Sequence, residues 1–182
     1  MKLHLGCGKR YIPGFIHIDI GNYEHLDFKH SIDKLIFIEN DSVDYIYASH
    51  VLDYFNKEKV YYVLKEWHRV LKVGGMLRFA VPDFKALCEL YSSDESHMSF
   101  ISGVLAGKMI SDSEFIYHKS FYDFKLLSST LSLCCFKDIK LWDWRKIPKD
   151  EMPTDDWSKS YVPHMDFENG KLISLNVECV KW

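Results

Sequence analysis

Two glycines near the start of the chain and an aspartate that follows them have the types and the spacing of a ligand site. Gly6 and Gly8 come directly after the alternating segment 2–5, and Asp19 lies near the end of the β-branched segment 15–20. Glycine adopts positive φ and lets a ligand approach the backbone closely, while a carboxylate after a second strand can accept both hydroxyls of a ribose. These residues therefore predict a site for a ribose-bearing ligand. The alternatives are an ordinary turn at the glycines and a strand-capping role for Asp19.

The spacing of these residues argues against a dinucleotide ligand. A dinucleotide fingerprint needs a third glycine and an acid about 20 residues further on. Here residues 8–11 read GKRY, and Asp19 follows Gly6 by only 13 positions (19 − 6). A nucleotide-dependent oxidoreductase is therefore the less favoured alternative.

An alternation of strands and helices must position these residues. The clearest helix covers residues 57–71, where apolar side chains recur every three or four positions, with Asn56 as its N-cap and Gly74-Gly75 as its left-handed stop. Strands on either side of this helix make a parallel unit with a right-handed crossover. The first half of the chain therefore predicts half of an open α/β sheet, with strands at residues 2–5, 15–20, 43–48 and 76–81.

The second half of the chain has weaker periodicity. A less regular helical region extends through Lys108. Clearer patterns predict helices at residues 84–91 and 124–133 and strands at residues 139–144 and 172–180.

The last two predicted strands are joined by an unusually long connection. Residues 145–170 make up 26 positions with three prolines and no predicted helix or strand, and loops of this length are usually functional or disordered. Disorder favours aromatic-poor chain, whereas this stretch carries Trp157 and Tyr161 beside His164 and Asp166. Aromatic faces with polar neighbours are typical of a small-molecule pocket, so we predict a ligand-binding lid. The alternative is that the rings only hold the loop against the sheet.

The charge balance argues against a nucleic-acid partner. The formal net charge is −3, and no dense stripe of lysine and arginine alternates with aromatic residues. The acidic residues at positions 150–151 and 155–156 are expected to form a solvated loop face.

Cysteine use and hydropathy indicate the compartment. The five cysteines form no CxxC pair and the nine histidines no HExxH motif, so we expect free thiols and no metal site. Cys7 is expected to be a packed, unreactive thiol. No signal-peptide segment and no stretch of 18 apolar residues is present, so we expect an unexported, cytoplasmic protein without membrane insertion.

Four motifs, in this order, resemble one protein family. Each motif is weak alone, but the ordered set is specific. The set resembles the small, type 11-like class I S-adenosylmethionine-dependent methyltransferases, and its motifs are LGCG at residues 5–8, FIHID at residues 15–19, DYIYASHVL at residues 44–52 and EWHRVLKVGG at residues 66–75.

The resemblance also implies a fold and a domain organisation. It implies a single doubly wound, Rossmann-like methyltransferase domain over residues 1–182, α/β in class, with a mostly parallel sheet and an antiparallel last strand. Residues 1–82 would bind the cofactor, and residues 83–182 would form the acceptor side. The motifs WSKSYVPHMD at residues 157–166 and SLNVE at residues 174–178 resemble a subgroup often associated with surface-polysaccharide genes.

The resemblance implies S-adenosylmethionine as the cofactor. Relatives place an acidic residue four positions before a Leu-Pro-Phe triplet, near the adenine; residues 35–37 match the triplet, so Ser31, or Asp33 two residues later, would take this place. The short link around Pro13-Gly14 leaves little or no helix after the glycine turn. The residues implied to contact the cofactor are Gly6, Cys7, Gly8, Asp19, Ser31, Ile32, Asp33, Ala48, Ser49 and His50.

Methyl transfer from a sulfonium has a good leaving group, so positioning and exclusion of water can supply most of the acceleration. We expect O-methylation of a small hydroxylated or sugar-containing acceptor. The alternative is a cofactor-binding regulatory or scaffold protein without turnover. A hydroxyl acceptor would give its proton to a nearby side chain, for which the candidates are His50, whose alternative role is structural, and Asp83, His118 and His164. The candidate acceptor contacts are Trp157, Tyr161, His164 and Asp166.

Overall fold

The computed structural model describes residues 1–111 and 114–182, which form eleven strands and four α-helices. The strands are β1 (Lys2–Leu5), β2 (Ile16–Asp19), β3 (Phe28–Lys29), β4 (Val43–Ser49), β5 (Leu71–Pro82), β6 (Met109–Ser111), β7 (Glu114–Ile116), β8 (Phe136–Leu141), β9 (Tyr161–Val162), β10 (Lys171–Leu172) and β11 (Ser174–Lys181). The helices are α1 (Lys57–Val70), α2 (Phe84–Ser93), α3 (Met98–Ala106) and α4 (Phe124–Leu133).

Seven of these strands form one sheet, in the order β3-β2-β1-β4-β5-β11-β8. Strands β1 to β5 pair in parallel, whereas β11 runs antiparallel to both β5 and β8. The predicted α/β fold, with a mostly parallel sheet and an antiparallel last strand, is confirmed. In such a sheet ligands collect at the carboxyl ends of the parallel strands, so the ends of β1, β2 and β4 define the edge that matters for function.

Helix α1 packs its apolar stripe against one face of the sheet, as its periodicity predicts. Asn56 caps the first turn, because its side-chain oxygen accepts a hydrogen bond from the backbone N–H of Lys59 (3.0 Å). Trp67 is fully buried and donates from Nε1 to the carbonyl oxygen of Ile32 (2.9 Å). The helix therefore fixes the segment that follows β3 as well as the sheet.

The two glycines after α1 do not stop the helix, and that prediction is wrong. Strand β5 begins at Leu71, the residue after α1, so the glycines lie inside the strand. Gly74 has φ +79° next to a register shift between β4 and β5. Positive φ at a register shift is typical of a β-bulge, so the glycine serves the sheet rather than the helix end.

The opposite face of the sheet is covered by irregular chain. Residues 9–15 form no helix, as the short link predicts. Ile12 from this link packs with Trp142 and Met152, which follow β8, against Tyr47 of β4. The second face therefore receives its apolar cover from the link and from the long connection.

The connection at residues 145–170 is more regular than predicted. One short 3₁₀ turn, Trp144–Lys146, lies at the start of the connection, and a second, Trp157–Lys159, lies near its middle. Near its end, β9 pairs antiparallel with β10. These hydrogen-bonded pieces hold the connection in one place. Among the described helices, none is long and apolar enough to cross a membrane.

Candidate active site

The two glycines of the turn after β1 have different tasks. Gly6 has φ +62°, and a Cβ atom placed on it would lie 2.2 Å from Cγ1 of Val51. Gly8 has φ +54°, and a Cβ atom placed on it would meet no atom within 4 Å. Gly6 is therefore required for packing against the end of β4. Gly8 instead faces open space, which a side chain would fill.

Asp19 lies beside this open space at the end of β2. Its Oδ2 accepts a hydrogen bond from the backbone N–H of Gly8 (2.8 Å), and its Oδ1 accepts one from the backbone N–H of Gly21 (2.7 Å). A carboxylate oxygen has two acceptor sites, so each oxygen retains one for a ligand hydroxyl. The arrangement fits a ribose diol, which is the group that the resemblance places here.

Cys7, between the two glycines, is packed, as predicted. Its side chain is buried, and Sγ lies 3.7 Å from Nε2 of His25. Burial, reinforced by the nearby charge of Asp19, raises the pKa of the Cys7 thiol to about 12. A thiol with this pKa is protonated at neutral pH, so Cys7 contributes shape to the turn rather than nucleophilicity.

The segment implied to meet the adenine follows β3 and is held by α1. Oγ of Ser31 donates to Oδ1 of Asp33 (2.5 Å), and Nζ of Lys59 lies 2.6 Å from Oδ2 of Asp33. Burial opposes the charge of Asp33, but the contacts with Lys59 and Ser31 outweigh it and lower the pKa of Asp33. Ile32 is buried beneath them. Ser31 and Asp33 thus form one hydrogen-bonded unit at this edge, and the contact of either with adenine stays a prediction.

An ion pair on α1 anchors the same segment, and the sequence reasoning missed it. Glu66 accepts a hydrogen bond at Oε1 from the backbone N–H of Leu35 (2.6 Å) and pairs with Arg69 (2.8 Å). Arg69 in turn donates to the carbonyl oxygens of Leu35 (2.9 Å) and Ile38 (3.0 Å). The available signal was the i, i+3 spacing of opposite charges inside the motif at residues 66–75, which predicts a pair on one helix face.

Asp156 ties the long connection to the end of β4. Its Oδ1 accepts hydrogen bonds from the hydroxyls of Tyr47 and Ser49 (both 2.9 Å) and from the backbone N–H of Ser158 (2.8 Å). Its side chain is 7% exposed, so the expectation of a solvated loop face is wrong for this residue. Asp155 beside it does face solvent, with 75% of its side chain exposed. The signal missed was an aspartate directly before a turn, a typical capping position.

His50 belongs to a hydrogen-bonded chain at the same edge. Nε2 of His50 lies 2.9 Å from Oγ of Ser174, which donates to Oδ1 of Asn176 (2.9 Å), whose Nδ2 donates to the carbonyl oxygen of Ser158 (2.9 Å). Since the Ser174 proton points to Asn176, Nε2 of His50 is the donor to Ser174. Burial lowers the pKa of His50, so the imidazole is neutral at neutral pH. Ala48, two residues earlier in β4, is fully buried in the core.

A cavity of about 1010 Å³ opens beside His50. Its wall is built by the end of β4, by α3 and the segment after it, and by the long connection. The sequence-predicted residues that border it are His50, His118, Trp157, Tyr161 and His164.

Two predicted site residues lie elsewhere, and the structure corrects their assignment. Among the described residues that border the cavity, neither Asp83 nor Asp166 appears. Asp83 caps α2 by accepting from the backbone N–H groups of Lys85 (3.1 Å) and Ala86 (3.3 Å). Asp166 accepts from the backbone N–H of Asn169 (2.9 Å). Both carboxylates are engaged in local turn geometry, which a sequence pattern does not distinguish from a catalytic role.

A buried pair beneath the cavity was also missed. Asp53 follows β4 in a 3₁₀ turn and lies 2.5 Å from Nε2 of His118. The ring of His118 packs edge-on against Tyr54 (4.6 Å between ring centres). The partners are 65 positions apart in the chain (118 − 53), so no local pattern signals the pair. Within the described residues, no cluster of three or more potential metal ligands is found.

Comparison with known proteins shows what the chain is similar to. Residues 18–79 match the family described as methyltransferase domain. No curated protein sequence matches the chain.

Solved structures match over nearly the whole chain. An S-adenosylmethionine-dependent methyltransferase from Archaeoglobus fulgidus superposes with a TM-score of 0.57 at 16% identity, covering 99% of this chain and 85% of that one. A Thermotoga maritima protein described as an S-adenosylmethionine-dependent methyltransferase, possibly acting on histamine, has a TM-score of 0.56 at 14% identity, covering 100% and 81%. The chain has the fold of an S-adenosylmethionine-dependent methyltransferase.

A third structure contains the product of the cofactor. The Burkholderia thailandensis 1,6-didemethyltoxoflavin-N1-methyltransferase, with bound S-adenosylhomocysteine, superposes with a TM-score of 0.55 at 12% identity, covering 99% of this chain and 70% of that one. The match over residues 18–79 and the shared fold show that the chain is similar to S-adenosylmethionine-dependent methyltransferases.

Proposed function

We propose that this methyltransferase transfers the methyl group of S-adenosylmethionine to a hydroxyl oxygen of a small ring-bearing or sugar-containing acceptor. The observation that carries the proposal is the cavity of about 1010 Å³ that borders His50 at the end of β4. Its aromatic and histidine lining offers flat faces for a ring and polar groups for hydroxyls.

The chain's own residues supply a cofactor site at the adjoining edge. Gly8 leaves space at the turn, and Asp19 retains two acceptor positions for a ribose. Ser31 and Asp33 would lie on the adenine side, and Ser49 and His50 on the methionine side. Bound S-adenosylmethionine would supply an electrophilic methyl group on a sulfonium that departs as a neutral thioether.

Proton removal from the acceptor hydroxyl falls to a histidine of the cavity wall. His50 is neutral at neutral pH because burial lowers its pKa, and since Nε2 donates to Ser174, Nδ1 is the atom left to accept a proton as the new bond forms. His164 is exposed and also borders the cavity, where it can bind the acceptor or serve as the alternative base. The turn at Trp157–Lys159, held by Asp156, covers the edge and helps to exclude water.

The finer assignments follow the same division of the chain. Residues 1–82 carry the cofactor contacts, and residues 83–182 supply most of the cavity wall. We propose a saccharide as the favoured acceptor class, in keeping with the resemblance of the tail motifs to a subgroup associated with surface-polysaccharide genes.

We propose a cytoplasmic location because all five cysteines are unpaired thiols, as expected in a reducing compartment. We also propose that nucleic acid is not the acceptor.

The test is a turnover screen with methyl-¹³C S-adenosylmethionine against sugars, phenols and other small hydroxylated compounds. The expected product carries a labelled methoxy group, identified by its carbon chemical shift. A labelled methyl group on nitrogen or carbon would overturn O-methylation. Binding of S-adenosylhomocysteine without turnover on any acceptor would favour the regulatory or scaffold alternative. Binding of NAD(P)H in place of S-adenosylhomocysteine would favour the oxidoreductase.

A further inference from the structure

A cation beside the glycine turn is not explained by the family motifs. Arg10 lies two residues after Gly8, and its backbone N–H closes the turn by donating to the carbonyl oxygen of Cys7 (3.0 Å). Its side chain is only 18% exposed, and its guanidinium lies 5.6 Å from the ring centre of Trp157. Burial is the main cause of the lowered pKa of His50, and the charges of His118 and then of Arg10 contribute to it. The guanidinium is therefore held over the edge where the methionine part of the cofactor belongs.

The partner of this cation is a carboxylate of the long connection. Nε of Arg10 donates to the carbonyl oxygen of Asp155, and Nη2 of Arg10 lies 3.5 Å from Oδ2 of the same residue. Lys9 lies 3.8 Å from that carboxylate as well. Asp155 and Trp157 both border the cavity, so the contact joins the glycine turn to the cavity wall.

The ion pair between Arg10 and Asp155 is weak enough for another carboxylate to replace Asp155. Asp155 exposes 75% of its side chain, and ion pairs with so exposed a partner contribute little free energy and are screened by salt. Asp156, the next residue, is buried and holds the connection to β4 through three hydrogen bonds. The Asp155 side chain can thus move away from Arg10 while Asp156 keeps the connection bonded to β4.

Resting on the proposed function, we propose that Arg10 binds the carboxylate of the cofactor's methionine and that Asp155 occupies this position in the free protein. A guanidinium recognises a carboxylate through two parallel hydrogen bonds, so the cofactor's carboxylate can replace the aspartate with the same chemistry. Cofactor binding then frees Asp155 at the cavity wall. The exchange connects the cofactor site to the acceptor cavity through one residue.

The test is calorimetry with two ligands, of which only one carries the amino-acid part and its carboxylate. S-adenosylhomocysteine carries the amino acid, whereas 5′-methylthioadenosine keeps the adenosine and lacks the carboxylate. Arg10→Gln should weaken binding of S-adenosylhomocysteine by about 10- to 100-fold, the range for hydrogen bonds to a charged group, and change binding of methylthioadenosine by less than about 2-fold. Asp155→Asn should strengthen binding of S-adenosylhomocysteine by about 2- to 5-fold, because it removes a weak competitor.

Lys9→Gln is the matched control, since Lys9 is the neighbouring cation on the same aspartate but is largely exposed. It should leave the affinity for both ligands unchanged. If the unmodified protein binds no S-adenosylhomocysteine, the proposed function itself fails. If it binds and Arg10→Gln binds equally well, or loses both ligands to the same extent, Arg10 is not the carboxylate site although the proposed function stands. Should Arg10→Gln not fold, the Asp155→Asn result decides, and an unchanged or weaker affinity overturns the inference.

Discussion

Asp53 and His118 form a buried pair at the cavity that borders His50, with Oδ2 of Asp53 lying 2.5 Å from Nε2 of His118 and side chains that are 0% and 6% exposed. The backbone of Asp53 reinforces the contact, because its carbonyl oxygen accepts hydrogen bonds from the N–H groups of Lys119 (2.7 Å) and Ser120 (3.2 Å). The turn after β4 and the segment after β7 are thereby fixed to each other. The pair determines where one wall of the cavity lies.

Removing one member of this pair should leave the other buried without a polar partner. Asp53→Ala is expected to lower the free energy of unfolding by about 3–5 kcal/mol, the range for breaking a buried pair. The double variant Asp53→Leu with His118→Phe should lose less than the single variant, since no polar group is left unpaired. Urea unfolding at pH 7 measures both, with Asp150→Ala, an exposed carboxylate of the connection, as the control. A double variant that loses as much stability as Asp53→Ala, or more, would show that the two residues do not act as a pair.

Substitutions at the two glycines of the turn should have different effects: Gly6→Ala should mainly lower stability, and Gly8→Ala should mainly weaken cofactor binding. Gly6→Ala places a methyl group 2.2 Å from Cγ1 of Val51, so it should cost about 1–3 kcal/mol for overpacking beyond the strain of positive φ. Gly8→Ala should cost only that strain, about 1–2 kcal/mol, yet weaken the binding of S-adenosylhomocysteine because its methyl group enters the open space. Adding Val51→Ala to Gly6→Ala should recover part of the lost stability. Normal cofactor affinity in Gly8→Ala would reduce the turn to a structural feature.

Asp19 should affect cofactor affinity through its charge. Asp19→Ala is expected to weaken the binding of S-adenosylhomocysteine by about 1–3 kcal/mol, as two charge-assisted hydrogen bonds are lost. Asp19→Asn should lie between Ala and the parent, because one amide oxygen can still accept. Calorimetry that gives all three proteins equal affinity would remove Asp19 from the site.

The sequence predicts those parts of the fold that depend on local spacing. The periodicity around Trp67 and the cap at Asn56 predict α1, because residues close together in the sequence determine the buried face and the first turn of a helix. The glycine turn and Asp19 are likewise set by strands whose apolar alternation is local. Gly74 was assigned wrongly because the same left-handed residue suits a helix end or a bulge, and only the register with β4 separates the two.

The site depended on contacts that no local pattern carries. Asp156 contacts Tyr47 across 109 positions, and Asp53 contacts His118 across 65. A carboxylate in a loop looks the same whether it faces water or accepts three hydrogen bonds. His50, His118 and His164 were named as separate candidates, and only the folded chain places all three at one cavity.

The ion pair on α1 predicts a pH dependence of stability. The hydrogen bonds from Arg69 are the largest influence on Glu66 and hold its pKa below its ordinary value. The pair therefore stabilises the fold above the unfolded pKa, and this contribution is lost as the pH falls from about 4.3 through the lower folded pKa. Glu66→Gln should cost about 1 kcal/mol at pH 7, the difference between charged and neutral hydrogen bonds, and less at pH 3. Urea unfolding at pH 7 and pH 3 measures both differences, with Glu58→Gln, an exposed carboxylate of the same helix, as the matched control.

The long connection should divide into acceptor-binding and packing residues. His164 and Trp157 border the cavity and are exposed, so His164→Ala and Trp157→Ala should keep thermal stability but lower turnover on the true acceptor. Tyr161 also borders it but is 7% exposed and packs edge-on against Phe167 (5.4 Å), so Tyr161→Ala should cost about 3–5 kcal/mol of stability, whereas Tyr161→Phe keeps the ring and should keep stability. Thermal unfolding and steady-state kinetics on each variant test the division. Unfolding of His164→Ala, or turnover and acceptor binding equal to those of the parent, would reassign His164 to packing.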